Sequence, residues 1–544
     1  MMKTKSFAFQ TLFLFTLVIF LFMLGCSEEP TEIKLNDEFI ADESFEINQV
    51  LAGIESGANI LVVEQNSSIQ EAINEAVAGT YILIEPGVYY ESLNIDKSAI
   101  KLIGLNNEED GVVIKNPETF KTAIHIEGDS NAEFSNIKFE GFDLSKINLT
   151  TYRCREKGGN KLLRNFSRVE LGKGIAHYQY ELQMGPGAYD VINVHRVVRE
   201  YRPYHPVKTS GNVFMVHGAI QDFDDIFLSA GAEEINAETS APYYLADKDI
   251  DVWGIDLSWT RVPLETEDFE FMRDWGLERD IDHTLFAMTL ARAIRGFTKH
   301  GCDKMNLLGF SYGVYVAYGA AGREIKMNPH FRNVKGLIPV DLEMKSENES
   351  FIIASCTAAQ KQLLLYENGS SYNPYGLALI PFGELALDAP DDPSPYFPGL
   401  TNIQAVMVIG SDNSDNWHFF GGTPFEYYYT DPMRFARLCA NLSPYMPRLV
   451  FYEINACGCP SEDVSFDDNI AKIKLPIFTI TSEGGDGPYG DYTSSLTKSK
   501  DITWLNVNDP ERERQYDFGH GDLWLSFKAA DWMWNDLYQW LLSH

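Results

Sequence analysis

One serine in the middle of the chain stands in a context that would make it a nucleophile. Residues 306–317 read Asn-Leu-Leu-Gly-Phe-Ser-Tyr-Gly-Val-Tyr-Val-Ala, so an apolar run meets a Gly-x-Ser-x-Gly pentapeptide and a second apolar run with helical spacing follows. A serine between a strand and a helix sits on a strained turn, where side chains two positions before and after it would clash with both neighbouring elements. Gly309 and Gly313 meet that requirement, and we predict that Ser311 attacks an acyl carbonyl.

Alternating strand and helix patterns surround this serine. Strand-like runs occur at 176–183, 189–198, 212–216, 250–256, 334–341 and 473–480, and a helix with one apolar face is predicted at 279–300. Residues 170–544 resemble the α/β-hydrolase superfamily, in which the nucleophile follows a buried strand and precedes the acid and the histidine. The resemblance implies an α/β fold with a mostly parallel central sheet, flanking helices and a cap insertion.

An apolar strand upstream of the serine ends in His217-Gly218-Ala219, which matches the oxyanion segment of the superfamily. The resemblance implies that the backbone N–H groups of Ala219 and Tyr312 donate to the oxyanion of the tetrahedral intermediate. His217 and Gly218 would support this segment. His217 is excluded as the base, because it precedes the nucleophile and ends its own strand.

The base and the acid follow in the C-terminal part of the chain. His520 is the base by position and order, because it is the only histidine between the run at 473–480 and the closing helix. Asp486 is the preferred acid, since it follows that run through two glycines that would let its carboxylate curl back to the imidazole. Glu483 in the same loop and Asp341 after the preceding strand are the alternatives.

Residues from about 345 to 470 leave the regular alternation of strands and helices, at the place where superfamily members carry a cap or lid. The segment is rich in aromatic residues: Trp417, Phe419, Phe420, Phe425, Tyr427, Tyr428 and Tyr429. On the simpler interpretation these rings form the core of the cap, and on the functional one they line a pocket for an apolar acyl or aromatic group.

The first 25 residues predict a lipoprotein signal peptide. Lysines precede an apolar run at 7–24, and Met23-Leu24-Gly25-Cys26 resembles a bacterial lipobox, which implies that Cys26 carries a lipid. A simple transmembrane anchor is the alternative. Acidic residues directly after Cys26 resemble the export signal of some surface-exposed lipoproteins. We therefore expect a lipid-anchored protein of the bacterial cell envelope, exposed at the outer membrane surface.

Two further segments separate the signal peptide from the hydrolase-like part. Residues 26–58 are acidic and aperiodic and predict a tether. Within residues 59–150, short β-rich runs recur at intervals of roughly twenty residues after a helix-like stretch, and this part resembles the cap and first rungs of a pectin-lyase-like parallel β-helix. So few rungs should be closed by packing on the C-terminal part of the chain, and we expect no active site there. A small mixed α/β domain is the alternative.

Charge and cysteine content limit which partners and cofactors the sequence is compatible with. A formal net charge of -34 argues against nucleic acid, whose phosphates require a basic face. Cysteines other than Cys26 are free to form disulfides in an exported chain, although the sequence does not reveal their pairing. Cys457 and Cys459 are too closely spaced for a zinc knuckle and lack a matching pair, so no metal is expected.

Together these features predict a serine hydrolase of the lipase or esterase type that cleaves small-molecule or lipid esters through an acyl-enzyme, without a metal or organic cofactor. Two alternatives stay open: a carbohydrate esterase that deacylates polysaccharide, and a non-catalytic surface binding protein built on a hydrolase fold. The sequence does not indicate the oligomeric state.

Overall fold

The computed structural model describes residues 48, 50–105, 111–117, 124–126, 132–140, 161–298, 300–411 and 417–544. All of them belong to one compact unit, Glu43–His544. The signal peptide, Cys26 and most of the predicted tether lie outside the described residues. Within the described parts of the chain, no helix combines the length and the apolar character that a membrane crossing needs.

The N-terminal part consists of short parallel strands. Its elements are β1 (Ile60–Val63), α1 (Ile69–Glu75), β2 (Tyr81–Ile84), β3 (Gly87–Tyr90), β4 (Leu93–Ile95), β5 (Ile100–Gly104), β6 (Val112–Lys115), β7 (Ile124–Ile126), β8 (Ala132–Ser135) and β9 (Ile137–Glu140). They form three parallel ladders in the orders β1-β2-β5-β8, β3-β6-β9 and β4-β7, with buried aliphatic side chains between them. Kinship with pectin-lyase-like proteins stays a prediction.

Some side chains of this N-terminal part are buried in the core of the second part. Leu51, Ile54 and Leu83 belong to the same buried cluster as the central sheet. Arg292 of the second part also forms an ion pair with Glu64 next to β1, with Nη2 and Oε1 2.5 Å apart. The packing agrees with the expectation that a few rungs, which cannot bury their own faces, are closed by the C-terminal part of the chain.

The second part is built around a large sheet. Its elements up to the last strand before the insertion are β10 (Leu163–Gly172), β11 (Ile175–Gln183), β12 (Val191–Arg202), β13 (His205–Pro206), β14 (Gly211–Val216), α2 (Ala241–Ala246), β15 (Ile250–Asp256), α3 (Leu277–Phe297), β16 (Met305–Phe310), α4 (Tyr312–Glu324) and β17 (Val334–Val340). The remaining elements are α5 (Glu349–Glu367), β18 (Tyr372–Asn373), α6 (Ile380–Asp388), α7 (Asn402–Gly410), β19 (Gly422–Thr423), β20 (Glu426–Tyr427), α8 (Pro432–Asn441), β21 (Met446–Pro447), α9 (Arg448–Cys457), β22 (Ile477–Ser482), α10 (Tyr492–Ser495), β23 (Ile502–Val507), α11 (Asp522–Leu525) and α12 (Asn535–Ser543).

The strand order of this sheet is β10-β11-β12-β15-β14-β16-β17-β22-β23, with β13 paired to β12. The first three strands are antiparallel, β12 runs antiparallel to β15, and the strands from β15 to β23 are mutually parallel. The central strands β15, β16 and β22 are buried along their whole length, which explains why apolar residues occur on both of their faces.

The topology brings the chemistry-bearing residues to one edge. The carboxyl ends of parallel strands meet at the same side of a sheet, where open α/β sheets bind their ligands. His217, Ser311, Asp341 and the loop after Ser482 each directly follow one of four such strands, β14, β16, β17 and β22.

A mainly helical insertion separates β17 from β22 and contains α5 to α9. A disulfide between Cys356 in α5 and Cys459 just after α9 closes this insertion. Cys457 is a free, buried thiol that contacts the Asp467 carboxylate, with Sγ and Oδ2 3.5 Å apart. The short Cys-Gly-Cys spacing therefore reflects one bridged and one unbridged cysteine.

Candidate active site

The turn between β16 and α4 holds Ser311 in a strained conformation. Its φ is 52° and its ψ is -119°, in a region that residues with a side chain rarely adopt. A methyl group at Gly309 would overlap the carbonyl oxygen of Gly313, and one at Gly313 would overlap the carbonyl oxygen of Val216. The two glycines thus allow β16, α4 and β14 to approach closely enough to present the serine at the edge of the sheet.

His520 reaches this edge from the loop before α11 and is held by Asp341. Its Nδ1 lies 2.8 Å from Oδ2 of Asp341, a buried carboxylate directly after β17. With an ionised carboxylate as its partner, Nδ1 carries the proton and Nε2 is left as the acceptor. This is the tautomer that a general base requires.

Three other donors fix the Asp341 carboxylate. The Ser482 N–H donates to Oδ1 at 2.7 Å, the Ser482 hydroxyl donates to Oδ2 at 2.8 Å, and the Asp486 N–H donates to Oδ1 at 3.2 Å. The backbone of Asp341 has a φ of 51°, so a tight turn directly at the strand end sets the direction of its side chain. A buried charge of this kind is stable only when such donors surround it.

The preference for Asp486 as the partner of His520 is wrong in this geometry. Asp486 turns its backbone N–H to Asp341, and it is Asp341, the alternative after β17, that binds the imidazole. A side chain at Gly485 would overlap the carboxylate of Asp341. The glycines that we expected to carry Asp486 towards His520 instead let the loop close over Asp341.

The other two carboxyl groups of this loop have different surroundings. Burial and the neighbouring Asp341 raise the pKa of Asp486 to about 7, although His520 opposes the shift. The Glu483 carboxylate accepts a hydrogen bond from Asn506 Nδ2 at 2.6 Å and is thereby tied to β23. Glu483, the third candidate acid, does not contact His520.

The predicted oxyanion segment lies beside Ser311. A methyl group at Gly218 would contact the Cβ of Ser311 at 3.3 Å. His217 is buried, its Nδ1 donates to the Gly218 carbonyl at 2.8 Å, and its Nε2 accepts from the Leu257 N–H at 3.3 Å. Burial lowers the pKa of His217 to about 4, so the ring is neutral and can make both contacts at once.

Two backbone amides are available at this point. Within the described part of the chain, neither the Ala219 N–H nor the Tyr312 N–H donates a hydrogen bond to the protein. Tyr312 is the first residue of α4, where helix N–H groups have no partner in the helix and the helix dipole favours a negative charge. Both amides are thus free to receive an oxyanion.

A buried clamp fixes the start of α4, and sequence reasoning missed it. The Asp280 carboxylate in α3 accepts hydrogen bonds from the Tyr312 hydroxyl at 2.7 Å and from the Trp259 indole N–H at 3.1 Å. Burial raises the pKa of Asp280 to about 6, and these hydrogen bonds oppose the shift. From the sequence, the apolar face of α3 indicated only that this helix packs against the sheet. The hydrogen-bond partners of an aspartate on a helix cannot be recognised from the sequence.

Aromatic rings surround the imidazole of His520. Phe310, the residue before the nucleophile, stacks on it with ring centroids 4.5 Å apart. Phe419 meets it edge-on at 5.6 Å, and Trp417 lies against it at 5.2 Å. Of the rings in the predicted cap cluster, Phe420 and Tyr429 are buried in the core, whereas Trp417 is 40% exposed beside the histidine.

The His520 loop is attached to the segment that carries these rings. The His520 N–H donates to the carbonyl of His418 at 3.1 Å. The Asp522 carboxylate accepts from the Gly421 N–H at 2.7 Å and from the Thr430 hydroxyl at 2.6 Å. Residues of the insertion therefore position the histidine directly.

The Ser311 hydroxyl forms no hydrogen bond with any described residue. Phe310 adjoins Ser311 in the chain and stacks on His520, so the serine and the histidine lie at the same edge of the sheet. Contacts between nucleophile and base are often loose in unliganded hydrolases and tighten when substrate binds.

Comparisons with known proteins bear on the fold. No protein-family model matches the sequence, and no curated protein matches it. Among solved structures, the chain is similar to a candidate lipase from Sulfolobus solfataricus, with 17% sequence identity, a TM-score of 0.51 and a match that covers 70% of this chain and 99% of that chain. The chain has the α/β-hydrolase fold.

Two other solved structures are more distant. A soluble variant of monoglyceride lipase from Saccharomyces cerevisiae, in complex with a substrate analogue, matches with 13% identity and a TM-score of 0.34, over 70% of this chain and 94% of that chain. An esterase from Thermogutta terrifontis matches with 13% identity and a TM-score of 0.33, over 67% of this chain and 98% of that chain.

Proposed function

We propose that this protein is a serine hydrolase that cleaves carboxylic esters of the kind that lipases and esterases take. The observation that carries the proposal is the contact between His520 Nδ1 and Asp341 Oδ2 at 2.8 Å, at the sheet edge where Ser311 occupies its strained turn. A base, its orienting acid and a serine on an elbow form the constellation that acyl transfer requires.

The reaction follows from this arrangement in two steps. The Ser311 hydroxyl oxygen attacks the ester carbonyl carbon while its proton passes to Nε2 of His520, and the N–H groups of Ala219 and Tyr312 donate to the resulting oxyanion. His520 then returns the proton to the departing alcohol, which leaves an acyl ester on Ser311. A water molecule, deprotonated by the same imidazole, attacks that ester, and His520 returns the proton to the Ser311 oxygen as the bond to the acyl carbon breaks and the carboxylic acid leaves. Throughout, Asp341 stabilises the protonated imidazole.

The rings around His520 favour an apolar or aromatic acyl group, because their faces offer apolar contact area and no charge. Trp417, which is 40% exposed, is the side chain best placed to contact the substrate. The Trp417→Ala substitution should therefore weaken the binding of esters with long or aromatic acyl groups more than the binding of acetate esters.

Labelling with a fluorophosphonate probe tests the proposal. The probe phosphonylates an activated serine, so the intact protein should be labelled and Ser311→Ala should not be, with unchanged melting curves for both. Hydrolysis of p-nitrophenyl esters of graded acyl length should disappear in the same variant. An unlabelled and inactive wild-type protein, or a fully labelled Ser311→Ala protein, would contradict the proposal. The first outcome would favour a binding protein on a hydrolase fold.

A further inference from the structure

A second group of chemistry-bearing side chains lies where β11 and β12 meet the start of a short helical turn, Asp224–Leu228. His177 and His195 are buried on the two neighbouring strands, and their Nε2 and Nδ1 atoms lie 3.0 Å apart. Oδ1 of Asp224 lies 3.6 Å from the first of these nitrogens and 3.7 Å from the second. The three atoms thus form a compact triangle with sides of similar length.

We propose that His177, His195 and Asp224 bind a zinc ion. The three distances define a point that is about 2.0 Å from each of the three atoms, which is close to the usual length of zinc–imidazole and zinc–carboxylate bonds. Two imidazoles and one carboxylate form a ligand set that zinc commonly takes in proteins.

Outer contacts orient two of the three ligands, His195 and Asp224, as a metal site requires. Nε2 of His195 lies 3.0 Å from the Asp256 carboxylate, so its Nδ1 is left without a proton and free to bind a cation. Gln179 Nε2 donates to Oδ2 of Asp224 at 2.9 Å, which leaves Oδ1 turned towards the histidines. Carboxylate and amide partners of this kind set the direction and the basicity of metal ligands.

The local charge also points to a cation. Three carboxylates, those of Asp222, Asp224 and Asp256, lie near His195, and none of them forms an ion pair with a described lysine or arginine. Oδ1 of Asp224 is buried and makes no hydrogen bond with a described residue. A buried carboxylate oxygen without a donor is costly, and a bound ion would compensate it.

The site has access to solvent on one side only. The Asp224 side chain is 42% exposed, whereas those of His177 and His195 are 7% and 0% exposed. An ion could enter past Asp224 and take a water molecule as its fourth ligand, which would complete a tetrahedral set.

The position of Asp224 indicates what the ion would do. This residue follows the predicted oxyanion segment closely in the chain, and Phe223 beside it donates its N–H to Asp256 at 2.9 Å. A zinc ion would tie the polypeptide after Ala219 to β11 and β12, and so stabilise the segment that carries an oxyanion donor. The zinc site does not depend on the proposed hydrolase activity, since it rests on a separate set of side chains.

Metal analysis of the full chain, produced with zinc in the medium, tests the inference. We expect about one zinc per chain, a lower melting temperature after treatment with dipicolinate, and recovery when zinc is returned. Asp224→Asn keeps the acceptor for Gln179 but loses the anionic ligand, and should weaken zinc binding at least about a hundredfold. Asp225→Asn removes a neighbouring charge that is not a ligand and should bind zinc as the wild type does.

A metal-free interpretation of the same atoms makes the opposite prediction. A proton shared between His177 and His195 would account for their 3.0 Å contact without an ion. In that case the wild type would contain no zinc, and added zinc would not shift its melting temperature. Either result would overturn the proposal. Equal zinc binding by the Asp224→Asn and Asp225→Asn proteins would overturn it as well. If Asp224→Asn does not fold, X-ray absorption of the zinc-loaded wild type decides, since two imidazole nitrogens at about 2.0 Å are required.

Discussion

At the scale of single residues, the Asp341 carboxylate has the most constrained surroundings of the candidate site. Its oxygens contact His520 and accept two hydrogen bonds from Ser482 at the end of β22 and one from Asp486 in the loop that follows. Asp486 donates a hydrogen bond to Asp341 through its backbone N–H, which any residue at that position other than proline would supply. The two aspartates, both close to the imidazole, should therefore respond very differently to the same substitution.

We predict that Asp341→Asn lowers kcat by a factor on the order of ten thousand, because the amide favours the wrong imidazole tautomer. Asp486→Asn should lower kcat far less, since its N–H to Asp341 is retained. Steady-state kinetics with a p-nitrophenyl ester compares the two variants directly. A crippled Asp486→Asn protein beside an active Asp341→Asn protein would show that the acid lies after β22.

The Asp486 carboxyl group should also affect how the stability of the protein depends on pH. Its pKa is raised by burial and by Asp341 to about 7, above the value of an unfolded aspartate. The folded protein therefore binds more protons than the unfolded one between about pH 4 and pH 7, and this group makes stability fall as pH rises through that interval. Asp486→Asn should flatten the decline, which urea unfolding at several pH values would measure. If the free energy of unfolding declines equally with pH in both proteins, the raised pKa of Asp486 is refuted.

At the scale of elements, the elbow depends on how closely β14, β16 and α4 approach one another. The space at Gly313 is closed by backbone carbonyls of β14 and the residue after it, which cannot move without displacing the strand. Gly322, nine residues further along the same helix, faces only the Cβ of Asn469 at 3.4 Å and more distant atoms. The helix thus offers one glycine that the fold requires and one that it does not.

We predict that Gly313→Ala abolishes fluorophosphonate labelling and lowers the melting temperature, because the added methyl group forces β14 and α4 apart. Gly322→Ala should keep full labelling and leave stability equal or slightly higher, since Ala is the better helix former by about 1 kcal/mol. Labelling and thermal melts of both variants check this pair. Normal labelling of Gly313→Ala would mean that the turn is looser than the structure indicates.

At the scale of the whole molecule, the N-terminal ladders bury a core of their own and also contribute side chains to the core of the central sheet. Leu51 and Leu83 pack in the same cluster as the sheet, and Glu64 pairs with Arg292 in α3. All the candidate catalytic side chains lie on the large sheet and its loops. The ladder fragment thus packs on the part of the chain that has the α/β-hydrolase fold.

We propose that a lipid on Cys26 attaches this assembly to the bacterial envelope, as the lipobox-like Met23-Leu24-Gly25-Cys26 implies. Cys26→Ala should abolish incorporation of labelled palmitate and release the protein from the membrane fraction in a bacterial host, because no thiol is left to acylate. Ester hydrolysis should persist in the released protein. Palmitate labelling that survives the substitution would disprove the lipid attachment and leave a transmembrane anchor as the alternative.

Local sequence patterns were sufficient to predict the turn around Ser311, the parallel sheet and the choice of His520. Gly309 and Gly313 are required by steric contacts of the turn around Ser311, so the motif alone predicts that turn. The parallel sheet also followed from the sequence, because strands buried on both faces have continuous apolar runs. His520 could be chosen because no other histidine was available between the run at 473–480 and the closing helix.

Only the tertiary structure shows which carboxylate contacts His520. Whether a loop presents a carboxylate or a backbone N–H to an imidazole depends on the path of two turns from different strands, and Gly485 allows that path to close over Asp341. The cluster of His177, His195 and Asp224 likewise has no spacing that the sequence could reveal, since its members lie on three separate elements. Chemistry carried by one short segment can be read from the chain, whereas chemistry assembled from distant segments requires the fold that brings them together.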